Sequence, residues 1–519
     1  MEALRRLLGA SPARALPPRI ESDDVYPVHM LDDTKTFRTI VVAWTLCFND
    51  VLDADHLHAS LSKLLEIGDW RKIGGRIRLN VRFSLYRAFN HSDQHLLTSD
   101  LQENGALEIH VPRPFTAERP AVSYAHQSMA MDIEEHPEAK SLPKATEGPS
   151  IQTGPQAFRA FMAPENAPET IDDFVYSDTP QLSLFITSFN NATLVSLTWP
   201  HTLMDVMGQQ ALLHGWSLVL AGRESEVPPV LGAREDVISA AVDAPVEKEE
   251  YHLGQKRLKG WAMAMFGLRF AGDLLRNRVV ETRTIFLPAK VVAKLRLQAQ
   301  GDLVALDDKA EKPFISEGDV LTAWTLRAVA SALPYPRPVA ALHPVNARFR
   351  LSSLAQASGV YIQNMSVAGF TFISSDVSTG PLGHIALENR RHLMEQSTEP
   401  QVLAYLREVR QEYGSGGDPS TMLYCDSDAL LMPFTNWTRA KFFQTADFSP
   451  ALVRAGETGQ SRSNPPGTIA FHHAQSMRES ATTRNIIVVL GKDHLDNYWL
   501  TATLLPPAWA KIEKELKTM

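Results

Sequence analysis

The chain has 519 residues, 44% of them hydrophobic, enough for two or three domains of about 100–200 residues each. Its 51 Lys and Arg against 59 Asp and Glu leave a net charge of −8, without the basic footprint that sequence-independent nucleic-acid binding requires. The two cysteines, Cys47 and Cys425, exclude a disulfide scaffold and a cysteine-based zinc site, and such sparse use fits a reducing compartment. The first twenty residues hold no signal-like apolar run, and nowhere does an apolar stretch reach the roughly 18 residues of a transmembrane helix. A soluble, cytoplasmic, multidomain protein is expected.

In chain order, Thr36–Asn49 reads as a strand dense in β-branched and aromatic residues. Asp53 then caps a helix in which Leu57, Leu61, Leu64 and Leu65 recur at helical spacing. Gly74-Gly75 closes that unit, and the alternating residues 77–86 form a further strand. Residues 112–180, with scattered prolines and little periodicity, read as a long irregular excursion. Gln181–Phe189 and Ala192–Trp199 make a hairpin turned at Asn190-Asn191, where asparagine tolerates positive φ. A helix follows from near Val206, with Leu212, Leu213, Trp216 and Leu220.

From Gly222 to about Glu281 the composition shifts, as in an interdomain crossover. A second strand–helix rhythm starts at residue 282, and Ser316 with Asp319 makes a variant capping box for the next helix. Strands at 339–345, 485–491 and 497–505 and a C-terminal helix at 509–516 complete the chain. These elements predict an α/β protein of two similar halves, 1–222 and 281–519, joined by 223–280.

Chemistry concentrates at His201-Thr202-Leu203-Met204-Asp205. The spacing alone is weak, since 17 histidines make one such match expected by chance, and His29 with Asp33 is a second. What distinguishes His201 is its place at a strand-to-helix corner, from which a side chain projects into a cleft while Asp205 turns back. Gly208 then permits close backbone approach. The bland alternatives are a satisfied corner histidine and an acid favoured by a helix N-terminus.

With its surroundings, this motif resembles the BAHD acyltransferases, and specifically the fungal branch that includes trichothecene O-acetyltransferases. The family's His-x-x-x-Asp matches His201 and Asp205, with Val206 where a small residue is usual. Its Val-Asp-x-Arg-x-Arg strand is similar to Val345-Asn346-Ala347-Arg348-Phe349-Arg350. Its Gly-Tyr-Phe-Gly-Asn resembles Gly359-Val360-Tyr361-Ile362-Gln363-Asn364. Its Thr-Ser-Trp, upstream of Asp-Phe-Gly-Trp-Gly, resembles Thr435-Asn436-Trp437 upstream of Asp447-Phe448, after which Ser449-Pro450-Ala451 departs from the pattern. The opening, Leu31-Asp32-Asp33 to Gly75-Arg76, also resembles the family's first strand and helix.

The resemblance implies two chloramphenicol-acetyltransferase-like domains, each a mixed β-sheet flanked by helices, with the active site at their interface in a through-channel. It implies an acyl-CoA-dependent O-acyltransferase acting on an alcohol of a specialised metabolite, such as a terpenoid or polyketide. His201 would be general base, since neutral imidazole suits an alcohol proton and its conjugate acid suits a departing thiolate. Asp205 would be structural, paired with Arg348. Thr435 and Trp437 would stabilise the oxyanion, and Asn364 would stand in the site wall. No covalent acyl-enzyme, metal or prosthetic group is expected; no motif marks the residues that hold the CoA phosphates. The partners implied are the acyl-CoA and the acceptor alcohol, on a monomer. Alternatives on this fold are a carrier-protein-bound donor, a condensation or cyclisation, or a catalytically silent binding protein. Pro200 before His201 departs from the His-His-x-x-x-Asp-Gly of condensation domains.

Other features have bland readings. Asp447 reads as an ion-paired structural residue, His472-His473 as structural rather than a metal pair, and Gly414–Gly417 as a turn. Leu258–Leu275 is apolar with basic flanks, as in a helix lying on a membrane interface, but such a helix more often packs on its own domain or narrows a channel.

Overall fold

Strands Val41–Phe48 and Thr193–Pro200, dense in β-branched and aromatic residues, are buried at every position, as strands covered on both faces are. They are the centre of a five-stranded sheet in the order Phe471–Ser476, Val41–Phe48, Thr193–Pro200, Ser183–Ser188, Ser123–Ser128. The computed structural model that shows this describes residues 14–80, 106–245, 248–304, 313–456, 462–480 and 482–519. Helices Ala54–Leu64 and Val206–Leu220 pack into the core of this sheet through Leu57, Leu61, Leu64, Leu212, Leu213 and Trp216. The Trp216 indole donates to the Ser60 hydroxyl (2.9 Å), so that pair of helices is joined by a satisfied buried polar group as well as by packing.

A second, seven-stranded sheet runs Ser366–Ile373, Val339–Asn346, Leu430–Asn436, Ile486–Lys492, Tyr498–Leu504, Glu281–Leu287, Ser150–Thr153. It is mixed: Val339–Asn346, Leu430–Asn436 and Ile486–Lys492 are parallel neighbours, and the remaining pairs are antiparallel. Helices Ala289–Val304, Glu317–Ser331, Leu382–Gln396 and Pro506–Leu516 share its core. The α/β class and the mixed sheets agree with the sequence. Each sheet takes one edge strand from the far part of the chain: Ser150–Thr153 pairs with Glu281–Leu287, and Phe471–Ser476 pairs with Val41–Phe48.

Local caps follow the residues expected of them. Asp53 accepts from the His56 N–H, and Ser316 and Asp319 close a reciprocal capping box. Three expectations need correction. Residues 36–40 of the expected strand are not strand: Thr34 caps a single helical turn, Lys35–Arg38, before the chain extends at Val41. Residues 112–180 are not one irregular excursion, because they supply an edge strand to each sheet. Those strands, SYAHQS and SIQT, are short and polar as edges are, and so carry no hydrophobic alternation. Asn190-Asn191 do turn the hairpin, with Ser188 opposite Thr193, yet neither has positive φ. Instead the Asn190 N–H donates to the Met131 carbonyl and the Asn191 side chain accepts from the Ile133 N–H, so the turn is held from outside. Of the strand expected over 77–86, Arg76–Leu79 is present and residues 81–86 lie outside the described residues.

Candidate active site

Strand Thr193–Pro200 ends where proline stops the ladder, and the next residue, His201, is held at the corner by its backbone. Its N–H donates to the Ile40 carbonyl (2.9 Å), and its carbonyl accepts from the Asn364 side-chain amide (2.8 Å). The imidazole stacks on the Phe37 ring, centroids 4.2 Å apart and planes within 3° of parallel. That contact exists because Lys35–Arg38 coils into a turn. Burial pushes the His201 pKa below the usual 6.5, opposed by its own carbonyl and by the Asp205 charge. The ring is therefore neutral, and able to accept a proton, at neutral pH.

Asp205 caps the helix that starts at Val206. One carboxylate oxygen accepts from the Met207 and Gly208 N–H groups (3.0 and 3.2 Å). The other accepts from the Arg348 guanidinium (2.7 Å) and the Met365 N–H (3.0 Å). Arg348 also donates to the carbonyls of Tyr361 and Gln363, so one buried guanidinium ties the corner to both the 345–350 and the 359–364 stretches. Both sequence readings of Asp205, capping and pairing, therefore coexist on its two oxygens. Gly208 makes this closeness sterically possible: a Cβ there would lie 2.2 Å from the Ile362 carbonyl oxygen.

Asn364 is held in turn. Its backbone and side-chain N–H groups both donate to one oxygen of buried Asp32 (2.7 and 2.8 Å). Burial pushes the Asp32 carboxyl up, while Lys72, His29 and the Asn364 bonds pull it down. Phe37 and Asp32 are site residues that sequence reasoning missed. Asp32 lay inside the Leu31-Asp32-Asp33 opening, whereas nothing in the local pattern marked Phe37.

His201, Thr435, Trp437 and Asn364 line one cavity of about 540 Å³. Thr435 stands at the end of strand Leu430–Asn436, and the Trp437 indole N–H donates to its hydroxyl oxygen (3.2 Å). The indole is thus already engaged, and among the described residues the Thr435 hydroxyl donates to none, which leaves its hydrogen for a ligand. His343, also in the lining, is held to about 4 by burial and is no base near neutrality. Three arginines share the lining: Arg350, Arg390 and Arg439. The Arg439 guanidinium lies 3.4 Å from the Phe349 ring centroid and is held below its usual pKa by burial and by Arg350. Arg390 is 3.7 Å from Asp319.

Several expected residues lie elsewhere. Among the described residues Asp447 has no ion-pair partner; it accepts from the Ser449 N–H (3.1 Å) and hydroxyl (2.6 Å), opening the short turn Ser449–Ala451. Phe448 packs on Trp216, and the Ala451 carbonyl accepts from the Asp53 N–H (2.8 Å). None of residues 447–451 lines the cavity, so the departure from the family pattern alters a support and not the wall. His472 and His473 are buried among aromatics, with the Trp44 indole donating to His472 (3.2 Å), and burial holds them to about 3 and about 4. Cys47 and Cys425 are buried away from the cavity, their thiols pushed up to about 12 and about 11.

No family model matches the sequence. Whole-chain relatives do. The O-acetyltransferase PaAT-2 of Phomopsis amygdali is 34% identical over 510 residues, covering 96% of this chain and 98% of its own. A protein of Penicillium decumbens named transcriptional regulator calD is 33% identical over 513 residues, covering 98% of each. Among solved structures, that of F. sporotrichioides TRI101 complexed with coenzyme A and T-2 superposes with a TM-score of 0.61 at 15% identity, covering 95% of this chain and 98% of that one. The fold is accordingly that of the two-domain acyltransferases. With relatives of this identity matched over nearly their whole length, the chain belongs to the BAHD acyltransferases, in the fungal branch that includes the trichothecene O-acetyltransferases.

Proposed function

We propose that the protein is an acyl-CoA-dependent O-acyltransferase that acylates an alcohol of a specialised metabolite such as a terpenoid or polyketide. The observation that carries this reading is the cavity in which a neutral, backbone-pinned imidazole shares a wall with the Thr435 hydroxyl. The lining suits a thioester donor, combining Phe37, Phe434 and Leu393 with the arginines 350, 390 and 439, to which we assign the phosphates. In this reading residues 1–222 and 281–519 are the two halves, 223–280 is the crossover, and the protein acts as a cytoplasmic monomer.

The chemistry follows from the groups present. His201 takes the proton from the acceptor hydroxyl as its oxygen attacks the thioester carbonyl carbon. The oxyanion that forms accepts a hydrogen bond from the Thr435 hydroxyl, which the Trp437 N–H polarises. As the carbonyl reforms, the carbon–sulfur bond breaks and the imidazolium returns its proton to the thiolate, giving ester and free thiol. A direct transfer is supported by the position of both cysteines outside the cavity with raised pKa values.

The test is incubation of the protein with acetyl-CoA and longer acyl-CoAs and a panel of terpenoid and polyketide alcohols, reading ester by mass spectrometry and free thiol by colour. Ester formation that is lost in His201→Ala, with the melting temperature kept, supports the reading; an active His201→Ala enzyme refutes the mechanism. The name of the Penicillium decumbens relative favours a second reading, a binding protein without turnover. That reading predicts acyl-CoA or alcohol binding by calorimetry and no product with any pair.

A further inference from the structure

Helix Gly260–Arg276 lies in the stretch 223–280 and packs beside residues of the seven-stranded sheet, yet buries none of its residues fully. Its inner side rests on the protein: Met263 and Phe266 pack beside Leu258, Ala340 and Ala429, and Asp273 pairs with Arg337 (2.7 Å). Among the described residues nothing covers its outer side. Trp261, Leu268 and Leu275 are 76%, 63% and 68% exposed, and their spacing of seven places them in one line along the helix. Ala264 and Ala271, also exposed, fill the same stripe. A surface helix ordinarily turns its polar face outward, so an outward stripe headed by tryptophan is an unpartnered apolar surface.

Charge identifies what would cover it. Residues 256–278 carry six basic side chains against the single acid Asp273, in a chain of net charge −8. Asp273 is engaged with Arg337, while among the described residues none partners Lys259, Arg276 or Arg278. A second copy of this chain docked through the same stripe would set these basic ends against each other, in parallel or antiparallel order, with no acid facing them. The complementary surface is apolar and anionic together. Tryptophan at the edge of a Leu stripe with Lys and Arg on the flanks suits the boundary between lipid headgroups and acyl chains.

We propose that helix Gly260–Arg276 seats this protein on an anionic lipid bilayer, with Trp261, Leu268 and Leu275 at the acyl boundary and Lys259, Arg276 and Arg278 on the headgroups. The contact is peripheral: no helix among the described residues is long and apolar enough to cross a membrane. The proposal is independent of which reaction the cavity performs.

The test is sedimentation of the full-length protein with vesicles of phosphatidylcholine alone and of equal parts phosphatidylcholine and phosphatidylserine. Binding to the mixed vesicles is expected to exceed binding to the neutral ones by on the order of tenfold, and to weaken as salt rises. Leu268→Glu with Leu275→Glu should abolish it and leave the melting temperature unchanged or higher. Should that variant misfold, Arg276→Glu with Arg278→Glu reads the electrostatic half, and vesicle binding should again fall by on the order of tenfold. No binding of the wild type to mixed vesicles, or equal binding by the variants, overturns the proposal. A concentration-dependent dimer in ultracentrifugation that the double Leu variant abolishes also overturns it, by assigning the stripe to a second copy.

Discussion

Phe37 lies flat on His201, ring against ring at 4.2 Å, and both line the cavity. The stack restricts ring rotation and excludes water, and so disfavours the charged form. Phe37→Ala is expected to lower kcat by on the order of tenfold with little change in melting temperature, because the geometry of the base loosens. It should also move the acidic limb of the pH–rate profile upward, since His201 regains hydration. In the wild type that limb is expected below 6.5, the direction in which burial displaces the group. A limb unmoved by Phe37→Ala would contradict the role assigned to the stack, and Phe37→Tyr should keep most of the rate.

The Asp205–Arg348 pair is buried and joins residues that follow strands of the two different sheets. Arg348→Ala leaves the carboxylate without its partner and is expected to cost about 3–5 kcal/mol of stability. Asp205→Asn retains an oxygen for the helix cap and should cost less. Thermal denaturation of the two variants checks the order. Equal melting temperatures for wild type and Arg348→Ala would show the pair to be dispensable.

For Thr435 and Trp437 the order of effects is the discriminating measurement. Thr435→Val removes the hydroxyl that faces the cavity, and is expected to lower kcat by about 10²-fold at unchanged KM. Trp437→Phe removes only the N–H that polarises that hydroxyl, so its loss should be smaller. A larger loss for Trp437→Phe, with the fold intact, would make the indole itself the oxyanion donor.

The three arginines of the cavity predict a defect of binding rather than chemistry. Arg350→Ala and Arg439→Ala should each raise KM for acyl-CoA several-fold with kcat nearly kept. The same variants should lose less against an acyl-pantetheine lacking the nucleotide phosphates. Unchanged KM for acyl-CoA in both would move the phosphate site elsewhere.

His343, His472 and His473 are buried neutral, held to about 4, 3 and 4 against 6.5 for the free group. Between those values and 6.5 the unfolded chain binds more protons, so stability falls as pH drops through that window. At pH 5 each costs about 2 kcal/mol relative to neutrality, and His201 adds to them, whereas Asp32, whose carboxyl is raised, works in the opposite direction. Melting temperature is therefore expected to fall steeply from pH 7 to pH 5. A flat profile would mean that these histidines are hydrated or partnered in solution.

The elements legible in the sequence are those specified by local physics. Asp53 and Ser316 marked helix starts because a short acceptor side chain satisfies free N–H groups whatever the tertiary context. The runs at 41–48 and 193–200 read as strands because they are dense in β-branched, aromatic and aliphatic residues, which suit a covered sheet. The edge strands Ser123–Ser128 and Ser150–Thr153 were invisible for the converse reason, since half-exposed polar strands differ little from loop in composition.

The site divides in the same way. The sequence by itself determined the chemical inventory: a histidine at a strand-to-helix corner, an aspartate positioned to cap the next helix, and a distant arginine, threonine and tryptophan of matching type. Only the tertiary structure decided which groups meet. Phe37 reaches His201 because a strand-like stretch coils for one turn, and Asp32 reaches the same corner through Asn364, 332 residues further along the chain. No periodicity records such contacts, because they are set by how two sheets exchange edge strands and close on each other. The pattern of a segment reports its own burial, whereas the partner that buries it is chosen by the whole fold.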